Sequence, residues 1–235
     1  MFELASSGTV TRIFSGQIPA GTSFEASVAG DAAGVWDVVF LPQTSSSTET
    51  EVLSLSGATA LPISTISGFD ASIAACRSGL YVATTLVPSG RERVYRLSPR
   101  SGAVESTWTV GFSALATLDC LPGGVLMGLS SPKQGGLFRL QSGSTRVSAV
   151  FGARTQFGTA VIGNEVWTLT ARQAADGNWS TWLYGYSWRS QRLIARPLRL
   201  GSTGDVLGPI APAALAASGH RLWAVVGRHL LKIAI

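Results

Sequence analysis

Glu25 and Asp70 stand one residue after Phe24 and Phe69, and the two pairs are 45 residues apart. Two carboxylates at equivalent places can share a proton or act as acid and nucleophile, the arrangement that glycoside hydrolysis needs. The matching positions Ser113, Gly158 and Ala211 add no third acid. Asp31, Asp37 and Asp119 read as turn or second-strand residues away from Glu25 and Asp70, so the pair is read as structural or ligand-orienting and no catalytic residue is assigned. Metal chemistry is not expected: His220 and His229 are the only histidines, and no cysteine or acid stands at ligand spacing from them. No Gly-x-Ser-x-Gly elbow occurs, and no phosphate-cradling loop leads into a helix. No cofactor is therefore expected. Asn178-Trp179-Ser180 matches a glycosylation sequon, a three-residue pattern that arises easily by chance.

The elements that must position these residues are short strands. Phe69 to Val110 contains four apolar runs, Phe69–Ala74, Leu80–Thr85, Arg93–Leu97 and Ala103–Val110, separated by Gly-, Pro- and Ser-rich turns. Runs of this length, rich in β-branched and aromatic residues, specify a β-meander. Its landmarks return along the chain. An aromatic opens the unit at Phe24, Phe69, Phe112 and Phe157, with Ile210 in the fifth place, in steps of 45, 43, 45 and 53. A second landmark follows at Gly34-Val35-Trp36, Gly79-Leu80-Tyr81, Gly124-Val125-Leu126, Glu165-Val166-Trp167 and Arg221-Leu222-Trp223. Trp36, Tyr81, Trp167 and Trp223 occupy one repeat position and are read as packing between units.

A strand-rich period of this length is a propeller signal. The segment Val94-Tyr95-Arg96-Leu97-Ser98-Pro99-Arg100-Ser101-Gly102-Ala103-Val104 resembles the recurrent third-strand turn of the β-propeller superfamily, particularly quinoprotein-type and related blades. Five sets of landmarks imply five blades, and together with the resemblance the expectation is an all-β, five-bladed β-propeller of four-stranded antiparallel blades. The expected blades run over about 22–66, 67–110, 111–151, 155–200 and 208–235 plus 1–16, making residues 1–235 one domain. There is no Trp-Asp ending of WD-repeat type, and no family chemistry carries over to particular positions. Fold alone does not give function.

The chain begins in mid-blade, and its last unit has no fourth strand. Ring closure is therefore expected by pairing Thr9–Ser15 outside His229–Ile235, which removes exposed sheet edges. In such a fold the second-to-third-strand loops share one face. Here they are long and polar: Gln43–Glu49, Leu86–Glu92, Ser130–Gly136 and Ala171–Ser180. Loops on a rigid scaffold carry binding more often than tight turns do. The expected binding residues are Glu25, Asp70, Arg91, Lys133, Arg172 and Trp179 on that face, with Trp179 either a stacking platform or anchor or packed over its own loop. Trp188, in a turn of the opposite face, is a possible anchor for a second partner.

Composition narrows the function. Hydrophobic residues make up 46% and charged ones 13%, enough apolar surface for one large core. No apolar run reaches the roughly 18–20 residues of a membrane-spanning helix, and Met1-Phe2-Glu3-Leu4 does not open a secretory signal. The expected location is cytoplasmic or within an assembled particle. The net charge of +5 comes from arginines scattered over every unit rather than from a stripe, so no specific nucleic-acid partner is expected. Cys76 and Cys120 are expected as separate reduced thiols. The functional expectation is a non-enzymatic binding or scaffold propeller whose partners are other protein subunits, in a setting such as a virion or a secretion apparatus. The alternatives are a lectin-like glycan binder and, third, a five-bladed glycan-acting hydrolase.

Overall fold

The computed structural model describes residues 2–4, 10–12, 23–31, 34–41, 48–56, 59–110, 115–129, 136–141, 147–151, 156–173, 179–202, 213–218, 220–226 and 229–235. These residues are all-β, in antiparallel sheets. A small sheet pairs β1 (Phe2–Leu4) with β2 (Val10–Arg12). The first large sheet runs β3 (Ser23–Asp31), β4 (Gly34–Leu41), β5 (Glu49–Ser56) and β6 (Thr59–Ser67) in order. The second runs β7 (Phe69–Cys76), β8 (Gly79–Leu86), β9 (Arg91–Leu97) and β10 (Val104–Val110). The third runs β11 (Leu115–Leu121), β12 (Gly124–Leu129), β13 (Gly136–Gln141) and β14 (Val147–Phe151). The fourth joins β15 (Gln156–Ile162), β16 (Glu165–Gln173) and β17 (Trp179–Ser187), whose far side pairs with both β18 (Arg192–Leu193) and β19 (Leu198–Ser202). The fifth holds β20 (Ala213–Ser218), β21 (Arg221–Val226) and β22 (His229–Ala234).

The repeated landmark has one structural meaning. Trp36, Tyr81, Leu126, Trp167 and Trp223 each sit on a second strand opposite Ala29, Ala74, Asp119, Ala160 and Ala216 of the first. Directly paired residues share a face, so a large ring lies beside a small Cβ wherever the landmark is aromatic. That face packs on the following sheet. Trp36 and Val38 meet Leu80 and Val82, Tyr81 meets Val125 and Met127, and Trp167 and Leu169 meet Leu222 and Ala224. In the third sheet the landmark is Leu126, and Trp188 of the fourth sheet packs into the same cluster. Trp188 thus packs in part against this cluster, with the Arg139 guanidinium over its ring at 5.0 Å.

Links between neighbouring first strands reinforce this packing. Ser27 Oγ accepts the Ile73 backbone N–H at 3.3 Å, and Thr159 Oγ1 lies 3.2 Å from Thr117 Oγ1. Cys76 and Cys120 form a disulfide with their Cα atoms 5.4 Å apart. The expectation of separate thiols is thus corrected: equivalent turns of adjacent sheets do come within bridging range. Of the segments expected to pair at the termini, β2 pairs with β1, and among the described residues β22 pairs only with β21; the rest of Thr9–Ser15 lies outside the described residues. On the side of the first sheet away from the second, Val35, Val39, Leu53, Leu55 and Ala60 form a cluster of their own.

Candidate functional site

The first strands β3, β7, β11, β15 and β20 stand at one edge of their sheets. Equivalent residues of all five, among them Ala29, Ala74, Asp119, Ala160 and Ala216, line one cavity of 360 Å³. Matching register positions can meet in this way only if the five strands run in the same direction along the cavity. It follows that the first-to-second-strand turns lie at one end and the longer second-to-third-strand loops at the other.

At the long-loop end the pairing of four first strands is irregular. The register shifts between Ser23 and Ser27, Phe69 and Ser72, Leu115 and Thr117, and Gln156 and Gly158. An irregularity of this kind bends a strand and re-aims its side chains, and such bulges gather at rims and beside binding sites. Glu25 and Asp70 fall inside the first two of these stretches, on strands that pack side by side. Arg172 and Trp179 stand near the tip of the β16–β17 hairpin, where Arg172 pairs with Ser180 and Gln173 with Trp179. Arg91 opens β9 opposite Leu86 and is exposed, as is Val87 in the adjoining loop. Next to it Glu92 is buried, its Oε1 accepting the Thr85 hydroxyl at 2.8 Å. Lys133, Ser113 and Ala211 lie outside the described residues, and so does Asn178 of the sequon.

Asp119 is the residue that sequence reasoning misplaced. It belongs to a first strand and lines the cavity. Its Oδ1 accepts the Cys120 N–H at 2.7 Å, and the carboxyl also takes the N–H of Val161 from the next sheet. Burial outweighs these hydrogen bonds and raises its pKa to about 6. A signal was present in the sequence: the other four repeats carry Ala at this position, and only here does Leu replace a ring opposite it. Asp37 of β4 is also raised to about 6 by burial, against the lowering effect of the Val38 N–H, and its Oδ1 has no hydrogen-bond partner. Alternation along the strand puts it on the face of Val35 and Val39.

Neither a protein-family model nor a curated protein matches this chain. Solved structures do. A PQQ-bound aldose sugar dehydrogenase from Streptomyces coelicolor aligns at TM-score 0.55 and 16% identity over 95% of this chain and 80% of its own. A putative 6-phosphogluconolactonase from Bacteroides uniformis aligns at 0.56 and 12%, over 97% and 71%. A hypothetical protein from Leishmania major aligns at 0.54 and 10%, over 98% and 92%. The fold is that of a β-propeller. At these identities the likeness carries the fold of the propeller and not its chemistry.

Proposed function

We propose that this propeller is a non-catalytic binding or scaffold protein, a subunit or adaptor of a larger assembly, and that residues 1–235 form one five-bladed domain. Its working surface is the long-loop end, with Glu25, Asp70, Arg91, Lys133, Arg172 and Trp179 contributing. The observation that carries this reading is the irregular pairing of four first strands at that end, beside the hairpin that bears Arg172 and Trp179. Exposed Val87 and Arg91 add apolar surface and a planar cation there, residue types suited to protein interfaces. The disulfide favours an oxidising setting such as a secreted or particle surface over the reducing cytosol.

Affinity capture from the native source, followed by affinity measurements on the purified partner, tests the reading. Trp179→Ala should weaken binding by about 2 kcal/mol or more if it is a hot spot. Arg100→Ala, an exposed residue in the β9–β10 turn at the other end, should leave binding unchanged. Loss by Arg100→Ala alone, with Trp179→Ala and Asp70→Ala both neutral, would move the working surface to the opposite face. A glycan array separates this reading from the lectin-like one, which rests on Trp179 as a stacking platform.

A further inference from the structure

The arginines are spread along the chain, but the acids that balance them are not. Residues 1–164 hold ten Lys and Arg against ten Asp and Glu, whereas residues 165–235 hold eight against three, so the whole net charge of +5 lies in that last part. Arg192, Arg196, Arg199 and Arg221 are exposed there, and none of them is ion-paired among the described residues. Arg196 lines an apolar groove of about 450 Å³ between the fourth and fifth sheets; Arg192 and Arg199 flank its wall residues Ile194 and Leu198, and Arg221 pairs with its wall residue Ala234. The facing wall is Ile233 and Ile235, with the buried Trp167 and Leu183 behind. Ile194, Leu198 and Ile235 are 40%, 49% and 38% exposed. Large apolar side chains held open to water beside exposed cations mark an interaction site. The acid among the described lining residues is Glu165, whose Oε2 accepts the indole N–H of Trp167 at 3.1 Å.

β22 forms one margin of this groove. The first three large sheets hold four strands each; the fifth holds three among the described residues, where β22 pairs only with β21 and presents an edge able to take another strand. Side chains alternate along β22. Leu231 and Ile233 pack toward the fourth sheet, on the groove side. Lys232 is exposed on the other face, which it shares with Trp223 and Arg221, its ammonium 5.3 Å from the centre of the Trp223 ring. We propose that this edge and groove bind a partner protein through an extended segment of alternating apolar and acidic residues, added to β22 as a further strand. The segment's apolar side chains fall on the groove side, beside Ile233, Ile194 and Leu198, and its carboxylates on the side of Lys232 and Arg221, where opposite charge fixes its register. Residues 1–22 of this chain contain one acid, Glu3, and do not match that charge. The surface lies at the end of the first-to-second-strand turns, away from the long-loop rim proposed above, and stands or falls separately.

Fluorescence anisotropy of a labelled peptide of alternating Val and Glu, matched to the 6 residues of β22, tests this on the full chain. Saturable binding with a Kd below about 1 mM is expected, weakening as salt is added. A peptide of the same composition with its Val and Glu in separate blocks should bind about tenfold more weakly or worse. Lys232→Glu combined with Arg221→Glu should lower the affinity about tenfold or more, as should Leu198→Asp, each with an unchanged far-ultraviolet circular dichroism spectrum. Arg100→Glu, an exposed change in the β9–β10 turn, should bind as the parent does. No binding up to about 1 mM, equal affinity for the block and alternating peptides, or parental affinity in the folded double variant would overturn the proposal. So would tighter binding of a duplex oligonucleotide that is lost in the same variants. Hydrogen exchange gives a second check: the β22 amides that do not bond to β21 should exchange fast in the free chain and slow with peptide bound. Protection of those amides already in the free chain would show that the chain covers the edge itself, and would overturn the proposal as well.

Discussion

The indole of Trp167 lies against Gly185, its cross-strand partner on β17. A Cβ built on Gly185 would fall 2.7 Å from Trp167 Cζ3, closer than real Cβ contacts allow. The absence of a side chain at 185 is thus a condition for seating the ring that joins the fourth sheet to the fifth. Gly185→Ala should cost about 1–3 kcal/mol, the usual range for overpacking a core. Thermal denaturation would show it as a lowered Tm. An unchanged Tm would mean that the indole shifts at no cost and that its seat is not specific.

Asp37 should make stability fall as pH rises. Its carboxyl is held at about 6 in the folded protein, against 3.8 for the free group. A group raised on folding contributes fully below its unfolded value, and the contribution is lost as pH rises through the folded one. The window is therefore about pH 4 to 6, with an ionised and incompletely hydrogen-bonded carboxylate left in an apolar face above it. Asp37→Asn removes the charge at nearly constant shape. Relative to the parent, it should be more stable at pH 8 by about 3 kcal/mol, an order-of-magnitude figure from the size of the shift. The difference should shrink toward pH 4. Denaturant melts of both proteins at the two pH values would decide it, and an equal gap at both would remove the ionisation as its cause.

The Cys76–Cys120 cross-link predicts that alkylation of the denatured, unreduced protein labels neither cysteine, whereas prior reduction labels both. The bridge spans a sequence separation of 44, and closing a loop of that size is worth about 2–4 kcal/mol through the unfolded chain. Cys120→Ser with Cys76→Ser should lower the denaturation midpoint accordingly. Label on both cysteines without reductant would show that the thiols are free.

The strands, their turns and the landmark rings were legible in the sequence because each is a local matter. A four- to eight-residue run of β-branched and aromatic residues bounded by Gly and Pro has few other options. A ring recurring once per unit must find the same neighbour each time, as Trp36, Tyr81 and Trp167 do. The partial packing of Trp188 was not legible, because its turn looks exposed along the chain and the cluster it meets includes Leu126 and Leu137 of the third sheet. Cys76 and Cys120 are unremarkable in one dimension and adjacent in three. Asp119 belongs to the same class: its type was plain from the sequence, but its place on the axis, its bond to Val161 and its desolvation come from strands far apart in the chain. Local patterning determined which segments became strands. Sheet-on-sheet packing, which depends on side chains from two units at once, decided which residues face the axis and which side chains are buried between sheets.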